Sequence, residues 1–381
     1  MLCPGPVLLS RYVARAVRDT NICHREPEFS SLLVECAEML RPIVGINKNN
    51  TEYEIALITG SGTAANEAVM SSVCGRGPVL VVSNGEFGER LVATARQHSP
   101  DVVALPFAWQ QSIDLDRVET ELRRRQYHLV VVVHHETSTG MLNPVAALAE
   151  LAHRYGALIV VDAISSIGAE VIAVEEWDID VLTGTSGKAL SAMPGVGIVI
   201  IKTSVLEQSA SVSAGPRYLN LHMHCRSMRD HEQTPNTPAV HVFVSLHASL
   251  EEILRLGVAE FRKVIHSRAV FTRRMLAAMG LDYVDYPVHG ATSSVVTCVS
   301  LPVGLSFDRL AGHLKSRGIV VYNGKGVLTD TMFQIGHIGA LRRRDTSAAL
   351  RQVRAAIRRN ASDSSHPTGF ELANRPTRAH T

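Results

Sequence analysis

From residue 54 to residue 201 the chain alternates short apolar runs with longer segments whose apolar residues recur every three or four positions. The apolar runs at 54–59, 79–83, 102–106, 129–133, 158–162, 181–183 and 196–201 have the length of strands. Between them, 63–73, 86–98, 114–125 and 144–155 have helical periodicity, the last with a proline in its first turn. A strand that is apolar throughout is covered on both faces, so the series predicts an α/β fold with a mostly parallel sheet between helices. After residue 201 the pattern changes. Helical periodicity at 237–255, 262–279, 307–317 and 346–358 surrounds strand-like runs at 294–300, 319–322 and 332–338. This predicts a second, smaller α+β unit. Residues 360–381 are polar, contain Ser, Pro and Gly, and read as a disordered tail.

Composition narrows the class. The 381 residues are 46% hydrophobic, enough for two domain cores, which excludes a mainly disordered chain. A net charge of +2 argues against a general nucleic-acid binder. No apolar run reaches the roughly 18–20 residues that cross a bilayer. Pro4-Gly5-Pro6 interrupts any secretory signal at the N-terminus. The six cysteines form no C-x-x-C pair and read as small buried hydrophobes in a reducing compartment. The expectation is a cytoplasmic enzyme without nucleic-acid or membrane partners. Its basic residues are lopsided: only Lys48, Lys188, Lys202, Lys263, Lys315 and Lys325 are lysines. Chemistry that needs a lysine amine has six candidates.

Three motifs carry chemistry. Gly60-Ser61-Gly62-Thr63 lies between a strand and a helix, where free N–H groups and the positive helix end favour an anion. It equally fits a loose dinucleotide fingerprint or a plain tight turn. Asp162 ends a buried apolar strand, the place where α/β proteins bind ligands, although an isolated aspartate there is more often a cap. Lys188 follows Thr183-Gly-Thr-Ser-Gly187 in a stretch almost free of other charge. Partial burial there disfavours the ammonium and leaves a more nucleophilic amine. An anion cradle, a strand-end carboxylate and a semi-buried lysine, in that order, match the needs of pyridoxal 5′-phosphate. The dinucleotide alternative leaves Lys188 unexplained. His134-His135 invites a metal reading, but neighbouring strand residues point to opposite faces, so no metal site is assigned.

With these motifs the chain resembles the fold-type I, class V aminotransferases that use pyridoxal phosphate, in particular the 2-aminoethylphosphonate–pyruvate transaminases. The resemblance runs from Cys3-Pro-Gly-Pro6 to about residue 358 and includes the segments 24–29, 82–88, 135–144, 161–166 and 318–325. It implies a large domain over 15–255 with a seven-stranded-type sheet, and a small domain from 1–14 and 256–359. It implies that Lys188 holds the cofactor as a Schiff base and moves protons, and that Asp162 pairs with the pyridinium nitrogen. Ser61, Gly62 and Thr63 hold the phosphate, Phe87 stacks on the ring, and Ser138 or Thr139 faces the phenolic oxygen. Ser186 lies near the phosphate. Thr237 reaches the neighbouring subunit's phosphate, which implies a homodimer with shared sites.

One departure stands out. The family's small domain carries a substrate-clamping arginine in a pattern like F-R-I-G-N-I-G, and here the stretch is Phe333-Gln334-Ile335-Gly336-His337. Gln334 lacks the charge, a loss of about 1.5–3 kcal/mol for a charge-assisted pair. Arg217 or Arg226 are the candidates for compensation, and His337 is either a partly exposed filler or a substrate contact. The expected activity is transfer of an amino group from a small amine or amino acid, aminophosphonate- or alanine-like, to a 2-oxo acid. The alternative is a lyase, replacement or carbon–carbon bond-forming enzyme on the same scaffold. A catalytically silent cofactor-binding module is the reading from a different class.

Overall fold

The computed structural model describes residues 1–210, 216–286 and 292–364. Two helices open the chain, α1 (Arg11–Asp19) and α2 (Pro27–Ile43). The first α/β run follows: β1 (Tyr53–Thr59), α3 (Gly62–Val73), β2 (Val79–Ser83), α4 (Glu86–His98), β3 (Val102–Pro106), α5 (Leu115–Arg124) and β4 (Leu129–Val133). A short hairpin, β5 (His135–Glu136) and β6 (Met141–Leu142), precedes α6 (Val145–Arg154), β7 (Leu158–Asp162), β8 (Val181–Thr185) and β9 (Val196–Lys202). Helices α7 (Thr203–Ser209), α8 (Leu221–His231), α9 (Val240–Leu256) and α10 (Val258–Ala277) lead to β10 (Val296–Ser300), α11 (Phe307–Lys315), β11 (Tyr322–Asn323), β12 (Met332–Gly336) and α12 (Arg343–Ser364).

The large sheet has the order β1-β9-β8-β7-β4-β2-β3. Only β9 runs against its neighbours. Strand β4 shows why the uniform apolar runs form this layer. Val130 and Val132 sit in one core, with residues of α2, α6 and α9, while Leu129, Val131 and Val133 sit in a second core with α3 and α4. All five are essentially buried, at about 1.5–3 kcal/mol each. The strands therefore cannot slip by one residue without trading one packed face for the other.

The second sheet, β10-β12-β11, is antiparallel and packs with α10, α11 and α12 around Phe333, Ile335, Leu310 and Leu350. The N-terminal segment runs beside it. Gly336 N–H donates to Leu2 O, and Ala340 N–H donates to Leu8 O. Two expectations need correction. The strand expected at 319–322 is confined to Tyr322–Asn323, because only these residues pair with β12. The expected tail begins too early: α12 continues through residue 364, and 365–381 lie outside the described residues. No helix among the described residues is long and apolar enough to cross a membrane.

Candidate active site

Strand ends and turns converge where β1, β7 and β8 terminate. Asp162 is the last residue of β7, and Lys188 lies in the turn after β8. Helix α3 begins at Gly62, directly after β1. These parts line one cavity of about 350 Å³, together with Gly5, Pro6, Asn66, Phe87, Arg90, Ile164, Thr185 and Pro194. This is the crevice beyond the carboxyl ends of strands, where open α/β sheets bind ligands.

At one end of the cavity stands the start of α3. Ser61 precedes the helix in an extended conformation and makes no capping hydrogen bond with its side chain. The Ala64 and Ala65 N–H groups close on the Ser61 carbonyl, which leaves the N–H groups of Gly62 and Thr63 and the Ser61 hydroxyl available to an anion. A Cβ at Gly62 would come within 2.7 Å of Ile164, so the close approach requires glycine. The Arg90 guanidinium donates to the Thr63 hydroxyl at 3.3 Å and adds positive charge beside this turn.

Asp162 lines the same cavity and is tied to α3. One carboxylate oxygen accepts the Ile164 N–H at 2.8 Å, and the other accepts from Asn66 Nδ2 at 2.7 Å. Burial pushes this carboxyl up, and the hydrogen bonds and the nearby Lys188 and Arg90 charges pull against it. Burial also depresses the Lys188 amine below the ordinary lysine value, with Asp162 opposing. Lys188 Nζ lies 5.2 Å from the centroid of the Phe87 ring. The Phe87 ring is positioned from below. Buried Glu136 accepts the N–H of Phe87 at 3.3 Å and of Gly88 at 3.0 Å, at the positive end of α4.

The remaining expected residues are distributed differently. Ser138 donates to Glu136 and accepts from the Glu86 N–H at the start of α4, and Thr139 donates to the Glu136 carbonyl. Ser186 donates to Met193 O and accepts from Val196 N, which closes the lysine turn; its neighbour Thr185 lines the cavity. Gln334 is 1% exposed. Its amide donates to the carbonyls of Thr137 at 2.6 Å and Ser138 at 3.3 Å, so it ties β12 to the hairpin. His337 is fully buried rather than partly exposed. It bonds Thr297 at 2.8 Å, and burial pushes its imidazole down to about 3, so it stays neutral at neutral pH. Arg217 is exposed, and Arg226 pairs with Asp230 on the same helix; neither lines the cavity. Thr237 is exposed.

His134 and His135 are each tied to a different serine, Ser166 and Ser165. His135 Nε2 is buried without a partner, and burial, then His134 and Lys188, hold that ring well below its ordinary value. Asn66, Arg90 and Glu136 escaped the sequence reading. A trace of each was available: Asn66 lies one turn after the Gly60-Ser61-Gly62 motif, Arg90 follows Phe87 by three residues, and Glu136 follows closely on the apolar run at 129–133.

The class-V aminotransferase family model matches residues 8–351. The chain is 32% identical over 94% of its length to an uncharacterised aminotransferase of Methanocaldococcus jannaschii, covering 92% of that protein. It is 31% identical to a 2-aminoethylphosphonate–pyruvate transaminase of Bacteroides fragilis, covering 93% of this chain and 98% of the relative. Among solved structures, the subgroup IV aspartate aminotransferase of Thermus thermophilus superposes with a TM-score of 0.84 at 25% identity, over 94% of this chain and 99% of that one. The chain belongs to the class-V aminotransferase family, the pyridoxal-phosphate-dependent transferases of fold type I.

Proposed function

We propose that this transaminase binds pyridoxal 5′-phosphate in the cavity between α3, Asp162 and Lys188. The donor set fits that group: N–H groups and hydroxyls at the start of α3, a buried carboxylate, and an amine beside an aromatic ring line one cavity. In this reading Ser61, Gly62 and Thr63 hold the phosphate with help from Arg90, Asp162 faces the pyridine nitrogen, and Phe87 covers the ring. When bound, the cofactor supplies an electron sink for the bonds at the substrate's α-carbon. Lys188, whose amine burial holds below the ordinary lysine value, takes and returns the proton at that carbon. The hydroxyls of Ser138 and Thr139 would act through Glu136, which holds the Phe87 and Gly88 N–H groups. Thr237 is exposed for a second copy of the chain, and we read the enzyme as a homodimer of the cytoplasm. Its six cysteines are free thiols. Residues 15–255 form the cofactor domain, with 1–14 and 256–359 as the smaller one.

The donor in this reading is a small primary amine or amino acid, aminophosphonate- or alanine-like, and the acceptor a 2-oxo acid. The observation that carries it is the convergence of Lys188 and Asp162 on one cavity with the start of α3. The test is a half-reaction: protein loaded with pyridoxal phosphate is given each candidate amine alone, and the cofactor and product are weighed by mass. Recovery of pyridoxamine phosphate with a carbonyl product supports transamination. A product that keeps its nitrogen, with the cofactor unchanged for every amine, favours the lyase or replacement chemistry instead. That second reading has one specific support, the absence of a cation at position 334.

A further inference from the structure

Helix α3 carries a buried asparagine among Ala64, Ala65, Ala68 and Val69, and its amide spans two strands. The Thr183 hydroxyl of β8 donates to Asn66 Oδ1 at 2.6 Å, and Asn66 Nδ2 donates to Asp162 Oδ2 at 2.7 Å. The order of this chain is not arbitrary. Turning the amide over would set its oxygen against the Asp162 carboxylate, two acceptors facing each other, and would leave Thr183 opposite an N–H group. A hydroxyl can serve either orientation, so the acceptor-only carboxylate decides which way the amide faces, and Thr183 anchors the amide oxygen there. Asp162 and Thr183 are also neighbours in strand register, so the sheet itself sets the spacing.

The consequence is electrostatic. A carboxylate taken out of water favours its protonated form, and Asp162 is buried. Against that stand the Ile164 N–H, the Asn66 amide and the two charged groups that act on it, Lys188 and Arg90. A protonated Asp162 has no negative charge with which to hold a protonated ring nitrogen. We propose that Asn66, locked by Thr183, is a positioning residue that keeps Asp162 ionised and aimed at the nitrogen of a bound pyridinium ring. The inference rests on the cofactor assignment above and adds to it a residue pair that controls its electronics.

The experiment uses the cofactor-free full-length protein. Infrared difference spectroscopy follows the carboxyl band that Asp162→Asn deletes, as a function of pH. Asn66→Leu is expected to move its midpoint upward by about one to two pH units, a tenfold to hundredfold tighter hold on the proton, as expected for a lost hydrogen bond to a charged group. Thr183→Val leaves the amide in place without the anchor on its oxygen, and is expected to move the midpoint in the same direction by less. It also keeps the test decisive if Asn66→Leu does not fold, which melting curves will show. A midpoint that both variants leave in place, or lower, overturns the proposal. A chain that never takes up pyridoxal phosphate overturns the cofactor assignment instead, which this titration does not depend on.

Discussion

Gln334→Leu removes a strut rather than a clamp. Leucine has nearly the volume of glutamine, so the change opens little cavity and acts on hydrogen bonds. The wild-type amide donates to Thr137 O at 2.6 Å and, at 3.3 Å, to Ser138 O, which also receives a weak contact from the Cys298 thiol. With leucine in place, Thr137 O is left in the interior without that donor, a cost of about 1–3 kcal/mol for an unsatisfied buried carbonyl. Extra apolar burial by leucine offsets part of it, on the order of 1 kcal/mol. With the mid-range cost of about 2 kcal/mol the net loss is about 1 kcal/mol, roughly a fivefold more frequent opening of the hairpin against β12. Hydrogen exchange by mass spectrometry on the peptide covering 134–142 reads this directly, because the Thr139 and Gly140 amides bond the Glu136 carbonyl inside it. Faster exchange confined to that peptide and to β12 is the expected result. Protection unchanged within twofold would refute the strut.

Other outcomes follow from the same physics. Burial lowers Lys188, so the rate at which the cofactor-free chain captures pyridoxal phosphate should rise with pH to a plateau whose midpoint lies below 10.5, as seen by stopped-flow absorbance; a midpoint at 10.5 would mean a solvated lysine. Gly62→Ala sets a methyl 2.7 Å from Ile164 and should weaken cofactor binding by about 1–3 kcal/mol in equilibrium dialysis. Buried Asp180 is pushed up by burial, but hydrogen bonds from His153 at 2.7 Å and Lys202 at 2.8 Å outweigh this and hold it below its ordinary value. Its contribution is therefore present above the ordinary aspartate range and lost as pH falls through the depressed value. Asp180→Asn should cost about 1.5–3 kcal/mol near neutral pH and flatten the acid limb of a urea-melt series.

Much of the fold was legible because burial on both faces leaves an unmistakable sequence signature. Val130 to Val133 has no polar position, and its short length and unbroken β-branching favour a covered strand over a buried helix. Strand β11 was not legible in its bounds, since Ile319 and Val321 are apolar for packing and Val320 bonds the N-terminal segment at Leu2 rather than β12. Asp162 and Lys188 stood out because each interrupts its surroundings chemically. Gln334 could be seen as a substitution, but its use could not. Whether an amide faces a cavity or a pair of carbonyls depends on a hairpin some 200 residues earlier. Ser138 and Ser186 fail in the other direction, because hydroxyl residues near a site are equally useful for closing its turns.

The central claim is that Lys188 is the residue that takes the cofactor. Incubation with pyridoxal phosphate, borohydride reduction and peptide mass mapping test it in one measurement. The account predicts a single reduced adduct on the peptide containing Lys188, absent from Lys188→Ala. An adduct at another of the six lysines, or one that survives Lys188→Ala, would contradict it.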